Sequence, residues 1–157
     1  MRTMKLLTET NAKLLNICIL LLRSTVGVIL FGIGLGKVFG SFGGSGLESA
    51  IQQYATIGIP APLAYLSTFT ELIGGFLLIV GLLTRPAAFA VMINMLVATI
   101  VVLPMGLFTA AANPLSLTVS AAIIVLAGPR AYSIDSLLVH SGEVIPELRG
   151  RSERSEL

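Results

Sequence analysis

The chain has 157 residues, of which 55% are hydrophobic and 11% charged. A soluble domain carries about 25% charged residues, so there is too little charge here to coat a soluble globule. The net charge of +2 comes from Lys and Arg that flank long apolar runs, and no nucleic-acid-binding patch is formed.

Each membrane span takes about 20 apolar residues, so the length holds roughly four helices in one domain. Cys18 and His140 are the only Cys and His. That excludes an intrachain disulfide, a CxxC redox pair and a bis-His haem within one copy, and a zinc site would lack ligands. The chain is expected to hold no metal and to bring no redox centre of its own.

Residues 1–13 read as a polar cytoplasmic head with Arg2, Lys5 and Lys13. The apolar run that follows is too long for a signal-peptide core, and no cleavage-site pattern closes it. The first span runs from Leu14 to about Phe39. Helical spacing brings Arg23, Gly27, Leu30, Gly34 and Lys37 onto one stripe, which should face other helices. Gly40 to Pro62 opens with a Gly-rich turn. Leu47, Ile51, Tyr54 and Ala55 then repeat at the spacing of a short interfacial helix.

The second span, Leu63 to Leu83, carries Glu71 followed by Gly74 and Gly75. The third runs from Pro86 to about Leu107 and contains Asn94. Asn113-Pro114 reads as a cap and a first-turn proline. The fourth span, Leu115 to about Leu126, is short for a bilayer. Either Phe108 to Ala112 extends it or the bilayer thins locally. Gly128-Pro129-Arg130 stops it, and residues 139–157 read as a polar cytoplasmic tail. Lys and Arg concentrate on one side of the spans. The expected fold is therefore an all-α four-helix transmembrane bundle, N-in and C-in, with an interfacial helix between the first two spans.

An ionisable group within a span is costly unless it has a partner. Depth counted at about 1.5 Å per residue from Leu14 and from Leu63 puts Arg23 and Glu71 about 5 Å apart in height. An Arg23–Glu71 pair is the expectation; Lys37 could instead reach inward to Glu71, or stay at the interface with Glu48. Arg23, Lys37, Glu71 and Asn94 together would line a polar site for a quinone head group, an anion or a proton. Gly27, Gly34, Gly74 and Gly75 read as helix-packing surfaces.

These residues resemble the DoxX family of small four-helix bacterial membrane proteins. The matching features are Leu22-Arg23, Gly27, Phe31, Gly36-Lys37, Gly58-Ile59-Pro60 and Glu71-Leu72-Ile73-Gly74-Gly75. They continue with Gly81-Leu82-Leu83-Thr84-Arg85, Gly128-Pro129-Arg130 and Tyr132-Ser133-Ile134-Asp135. The resemblance covers about Leu22 to Leu138, within a membrane domain of residues 14–138. Many members carry a His near the end of the third helix, whereas Leu103 to Pro114 has none here. The resemblance implies a subunit of a redox-linked complex, such as a thiosulfate:quinone oxidoreductase or an assembly joining oxidant detoxification to thiol homeostasis.

The leading expectation is thus an integral subunit of the bacterial cytoplasmic (inner) membrane. It would offer a quinone-facing or docking surface to a membrane or peripheral redox partner, or assemble as a homo-oligomer. The alternative is a structural or assembly protein whose buried Arg–Glu pair fixes helix packing. A small-solute transporter is disfavoured, because no inverted repeat is visible.

Overall fold

The structure, a computed structural model, describes residues 2–128 and Ser133. Five α-helices follow in order: α1 (Arg2–Phe39), α2 (Leu47–Thr56), α3 (Ala61–Val80), α4 (Thr84–Val102) and α5 (Ala112–Ala127). No strand occurs among the described residues. Among the described residues, four stretches are long and apolar enough to cross a membrane: Lys13–Phe39, Ala61–Val80, Thr84–Met105 and Leu107–Ala127. The protein is a multi-pass helical bundle in a lipid bilayer. The expected tail at 139–157 lies outside the described residues, as do Pro129 and Arg130.

α1 is continuous from Arg2 into the first span, whose membrane-crossing stretch begins at Lys13. Around the bundle α1 packs on α3, α3 on α4, α4 on α5, and α5 back on α1. On α3 the buried positions are Ala64, Thr68, Glu71, Gly74, Gly75 and Leu78, spaced by threes and fours as one helical face requires. Leu63, Leu66, Phe69, Ile73 and Phe76 are exposed on its other faces. The core is formed by Val26, Leu30, Leu78, Ala88, Val91, Met95, Ala121 and Ile124, among others.

Small residues bring the backbones close. A Cβ on Gly34 would fall 2.6 Å from Leu72 Cα, and one on Gly75 would fall 2.5 Å from the Phe31 nitrogen. Gly27 meets Gly75 and Ile79 in the same way, while Gly74 faces Val91 on α4. Without a hydrophobic drive between helices in lipid, such close packing is what holds them together. These contacts set the antiparallel register of α1 on α3.

The turns differ from expectation at two places. The helix after the second span opens at Thr84, so Pro86 sits within its first turn rather than beginning it. Before α5, Leu107–Ala111 forms a π turn, with the Ala111 N–H donating to the Gly106 carbonyl at 3.2 Å. Asn113 and Pro114 therefore lie inside a helical stretch, and no side chain caps α5. Pro114 has no N–H to give to the preceding turn, and the wide π turn accommodates its ring. This extension brings the fourth span to 21 residues, so no local thinning of the bilayer is needed.

Candidate functional site

Lys37 approaches from the last turn of α1 and Glu71 from the middle of α3. The Lys37 ammonium lies 2.7 Å from Glu71 Oε2 and donates to Oε1 at 2.8 Å. It also donates to the Tyr54 hydroxyl of α2 at 2.9 Å, and its Nζ stands 5.2 Å from the Tyr54 ring centre. Tyr54 Oη is 3.1 Å from Ser67 Oγ, one turn before Glu71 on α3. Of the three protons of the ammonium, one goes to Glu71 Oε1 and one to the Tyr54 hydroxyl, while Glu71 Oε2 is in ionic contact without a hydrogen bond. With the Tyr54 hydroxyl accepting from Lys37, its own proton can go to Ser67. Charge-assisted bonds of this kind are the strong ones.

This pair forms the floor of a cavity of about 300 Å³ near one end of the bundle. Ile33, Met95, Ala98, Val101, Val102 and Leu117 supply apolar walls from α1, α4 and α5. Ala50, Gln53 and Tyr54 of α2 and Ile57 just after it close the cavity, and Asn113 and Pro114 line it from the start of α5. The π turn thus sits where the chain presents Asn113 to the cavity, a common setting for such turns. Apolar walls with a few convergent polar groups are the usual make-up of a small-ligand site. The volume is at the low end of the range of about 300–1,000 Å³ for such sites, which suits a single ring.

The expected Arg23–Glu71 pair does not form. Arg23 is buried, but its guanidinium lies against Gly81, where a Cβ would fall 2.6 Å from Nη1. Gly81 is ten residues beyond Glu71, about 15 Å along the helix. The physical reason is the length of the first span. Its 27 residues measure about 40 Å, against a hydrocarbon core about 30 Å thick. Counting depth from Leu14 therefore set the inner boundary too early. The register of α1 on α3 places Arg23 level with the end of α3, not with its middle. The interhelical ion pair of Glu71 is with Lys37 instead.

Asn94, on α4, is half-buried and reaches the Ser67 carbonyl at 3.5 Å. It stands behind the α3 turn that carries Ser67 and is not among the cavity walls. Tyr54, Ser67 and Asn113 were not singled out from the sequence as site residues. Two signals pointed to them. Tyr54 is the polar member of the apolar stripe of α2, and Ser67 precedes Glu71 by one helical turn on the same face. Among the described residues, no group of three or more His, Cys, Asp or Glu is placed to hold a metal ion.

Comparison with known proteins adds a family model described as DoxX, which matches residues 18–104. A protein of Bacillus subtilis (strain 168) named "Putative oxidoreductase CatD" is 44% identical over 66 residues. That match covers 42% of this chain and 45% of the other, so the chain spans less than half the length of that relative. No solved structure matches the chain.

Proposed function

The chain belongs to the DoxX family, and from that premise we propose that it is an integral membrane subunit of a redox-linked complex. In this reading the cavity above Lys37 and Glu71 receives the head group of a membrane quinone. The observation that carries the proposal is a buried Lys37–Glu71 ion pair at the floor of a largely apolar cavity within a membrane bundle. A buried ionic pair in a span is costly and points to function. The name of the Bacillus subtilis relative supports a redox setting.

The residues fit such a head group. The apolar walls take the faces of a ring, and Lys37, Tyr54 and Asn113 offer donors to its carbonyl oxygens. An arriving carbonyl competes first for the Lys37–Tyr54 bond, because Tyr54 is neutral and keeps Ser67 as a partner. Lys37 then stays neutralised by Glu71 while it donates to the ligand. A quinone bound there supplies electron and proton acceptance. Glu71 and Lys37 hold the exchangeable protons next to it, and the walls exclude bulk water. Electrons would come from a partner protein, either membrane-bound or peripheral.

Lys13 and Arg85 lie at the end of the bundle away from α2, and Lys37 lies near the α2 end. The positive-inside rule supports an orientation in the bacterial cytoplasmic membrane with α2 outside. The test is purification from native membranes in mild detergent, with organic extraction and mass spectrometry of the eluate. The proposal expects a retained isoprenoid quinone and a co-purifying oxidoreductase, with the quinone lost from Glu71→Gln. A clean preparation with neither quinone nor redox partner, together with normal sulfur and peroxide tolerance in cells lacking the protein, sinks it.

A further inference from the structure

Lys37 is reached from two sides. On one side it floors the cavity with Glu71. On the other it closes a second, separate groove of about 500 Å³. That groove runs along an apolar α1 wall of Val28, Ile29, Gly32, Ile33 and Gly36 and under the glycine-rich segment from Ser41 to Ser45, with Phe42 at its edge; its polar end is where Lys37, Ser41 and Ser45 meet. Of the residues that line the two, Ile33 and Lys37 are common to both. The side-chain exposures match this arrangement. Lys37 is 27% exposed, whereas Glu71, which lines the cavity alone, is 5% exposed.

The depth of the groove decides what fills it. Lys37 pairs with Glu71, ten residues from the start of α3 at Ala61. Gly34 packs against Leu72 and Phe31 against Gly75, so Phe39 is level with about Ser67; the end of α1 is sunk about 9 Å below the start of α3, and the irregular segment after Phe39 begins at membrane depth. Non-helical backbone is tolerated there only where protein buries it or a water-filled cavity receives it. Gly36 and Gly44 pack backbone to backbone with no room for a side chain on Gly44. Ser41 and Ser45 line the groove, and Lys37 ends it. A space that is roomy and polar at one end holds water.

We propose that this groove is a hydrated branch. It joins the Lys37–Glu71 pair to the aqueous phase on the α2 side, while the ligand cavity opens elsewhere. Lys37 is then the junction between the two. A ligand meets it from the cavity, and water meets it from the groove. A proton given by the pair to a bound molecule is replaced by one from water, without the cavity opening to solvent. The hydration itself does not depend on what occupies the cavity.

Cysteine accessibility in membrane vesicles tests this. In a Cys18→Ala background, Gly32→Cys probes the groove alone, and Ile33→Cys probes the junction. A Cβ at Gly32 meets nothing within 4 Å, so the fold accepts that change. The reagent is a membrane-impermeant quaternary-ammonium methanethiosulfonate. It needs an ionised thiol, and a thiol surrounded by hydrocarbon stays neutral. Gln52→Cys on α2 marks the side, and Ile73→Cys, exposed on α3, sets the lipid-facing rate. Both probe cysteines should react from the Gln52→Cys side at least about tenfold faster than Ile73→Cys. Adding Ser41→Trp, which fills the groove, should slow both, and Ala98→Phe, which fills the cavity, should leave the Gly32→Cys rate unchanged. Rates equal to that of Ile73→Cys overturn the proposal. So does a Gly32→Cys rate that Ala98→Phe slows or that Ser41→Trp leaves unchanged. Quinone retention is read independently, so failure here leaves the proposed function standing.

Discussion

Replacing Lys37 with Met keeps the length and removes the charge, which isolates the worth of the pair. At 2.7 Å and an effective dielectric constant of about 20, the attraction is about 6 kcal/mol before desolvation. Removing one partner of a buried pair costs about 3–5 kcal/mol, because the other charge is left uncompensated. Lys37 is about a quarter exposed, so the lower end, about 3 kcal/mol, is expected. Glu71→Gln should cost a similar amount, and the double variant should cost less than the sum. The coupling energy should be about 2 kcal/mol or more. The same cycle with Arg23→Met and Glu71→Gln should give under about 0.5 kcal/mol, as for residues with no shared partner. The assay is equilibrium unfolding in mixed detergent micelles, followed by circular dichroism. A stronger coupling for Arg23–Glu71 than for Lys37–Glu71 would refute the register of α1 on α3 and the site built on it.

Three further outcomes are expected. Tyr54→Phe removes the hydroxyl bonded to Lys37 and Ser67 and should destabilise by about 1–3 kcal/mol. Hydrogen exchange should rise in α2 before it rises in α3. Gly34→Leu drives a side chain into the Leu72 backbone and should cost about 3 kcal/mol or more. Gly32→Ala, in open space on the same helix, should be neutral or stabilise by up to about 1 kcal/mol; equal thermal shifts for the two would contradict the packing described. Gly81→Ala places a Cβ at φ 76° against the Arg23 guanidinium and should cost over about 1 kcal/mol. Adding Arg23→Ala should recover part of the lost melting temperature, and no recovery would place Arg23 elsewhere.

Much of the bundle was legible because lipid imposes a simple rule. Long apolar runs must be helices, and glycines between them mark where backbones meet. The short helix after the first span was legible from the spacing of Leu47, Ile51 and Tyr54. The partner of Glu71 was not settled. Sequence gives rise per residue but not where the bilayer begins, and a helix that continues to Arg2 carries no boundary signal. A second loss came at Asn113-Pro114. The pair suits a helix start, yet the π turn before it lets the helix run through. The cavity was not legible either, because it exists only once α2 folds back and sets Tyr54 on Lys37. That contact joins residues 17 positions apart, across a glycine-rich segment whose path no local pattern specifies.

The central claim is that the cavity above Lys37 and Glu71 holds a quinone head group. Photoaffinity labelling with a short-chain azidoquinone, followed by peptide mapping, tests it most directly. Saturable cross-links to the cavity walls are expected, at Met95, Ile57 or the Asn113–Leu117 turn. These should disappear in Ala98→Phe, which fills the cavity, while its melting temperature is unchanged. Cross-links spread over the lipid-facing residues Leu66, Ile73 and Phe89, unaffected by Ala98→Phe, would contradict it.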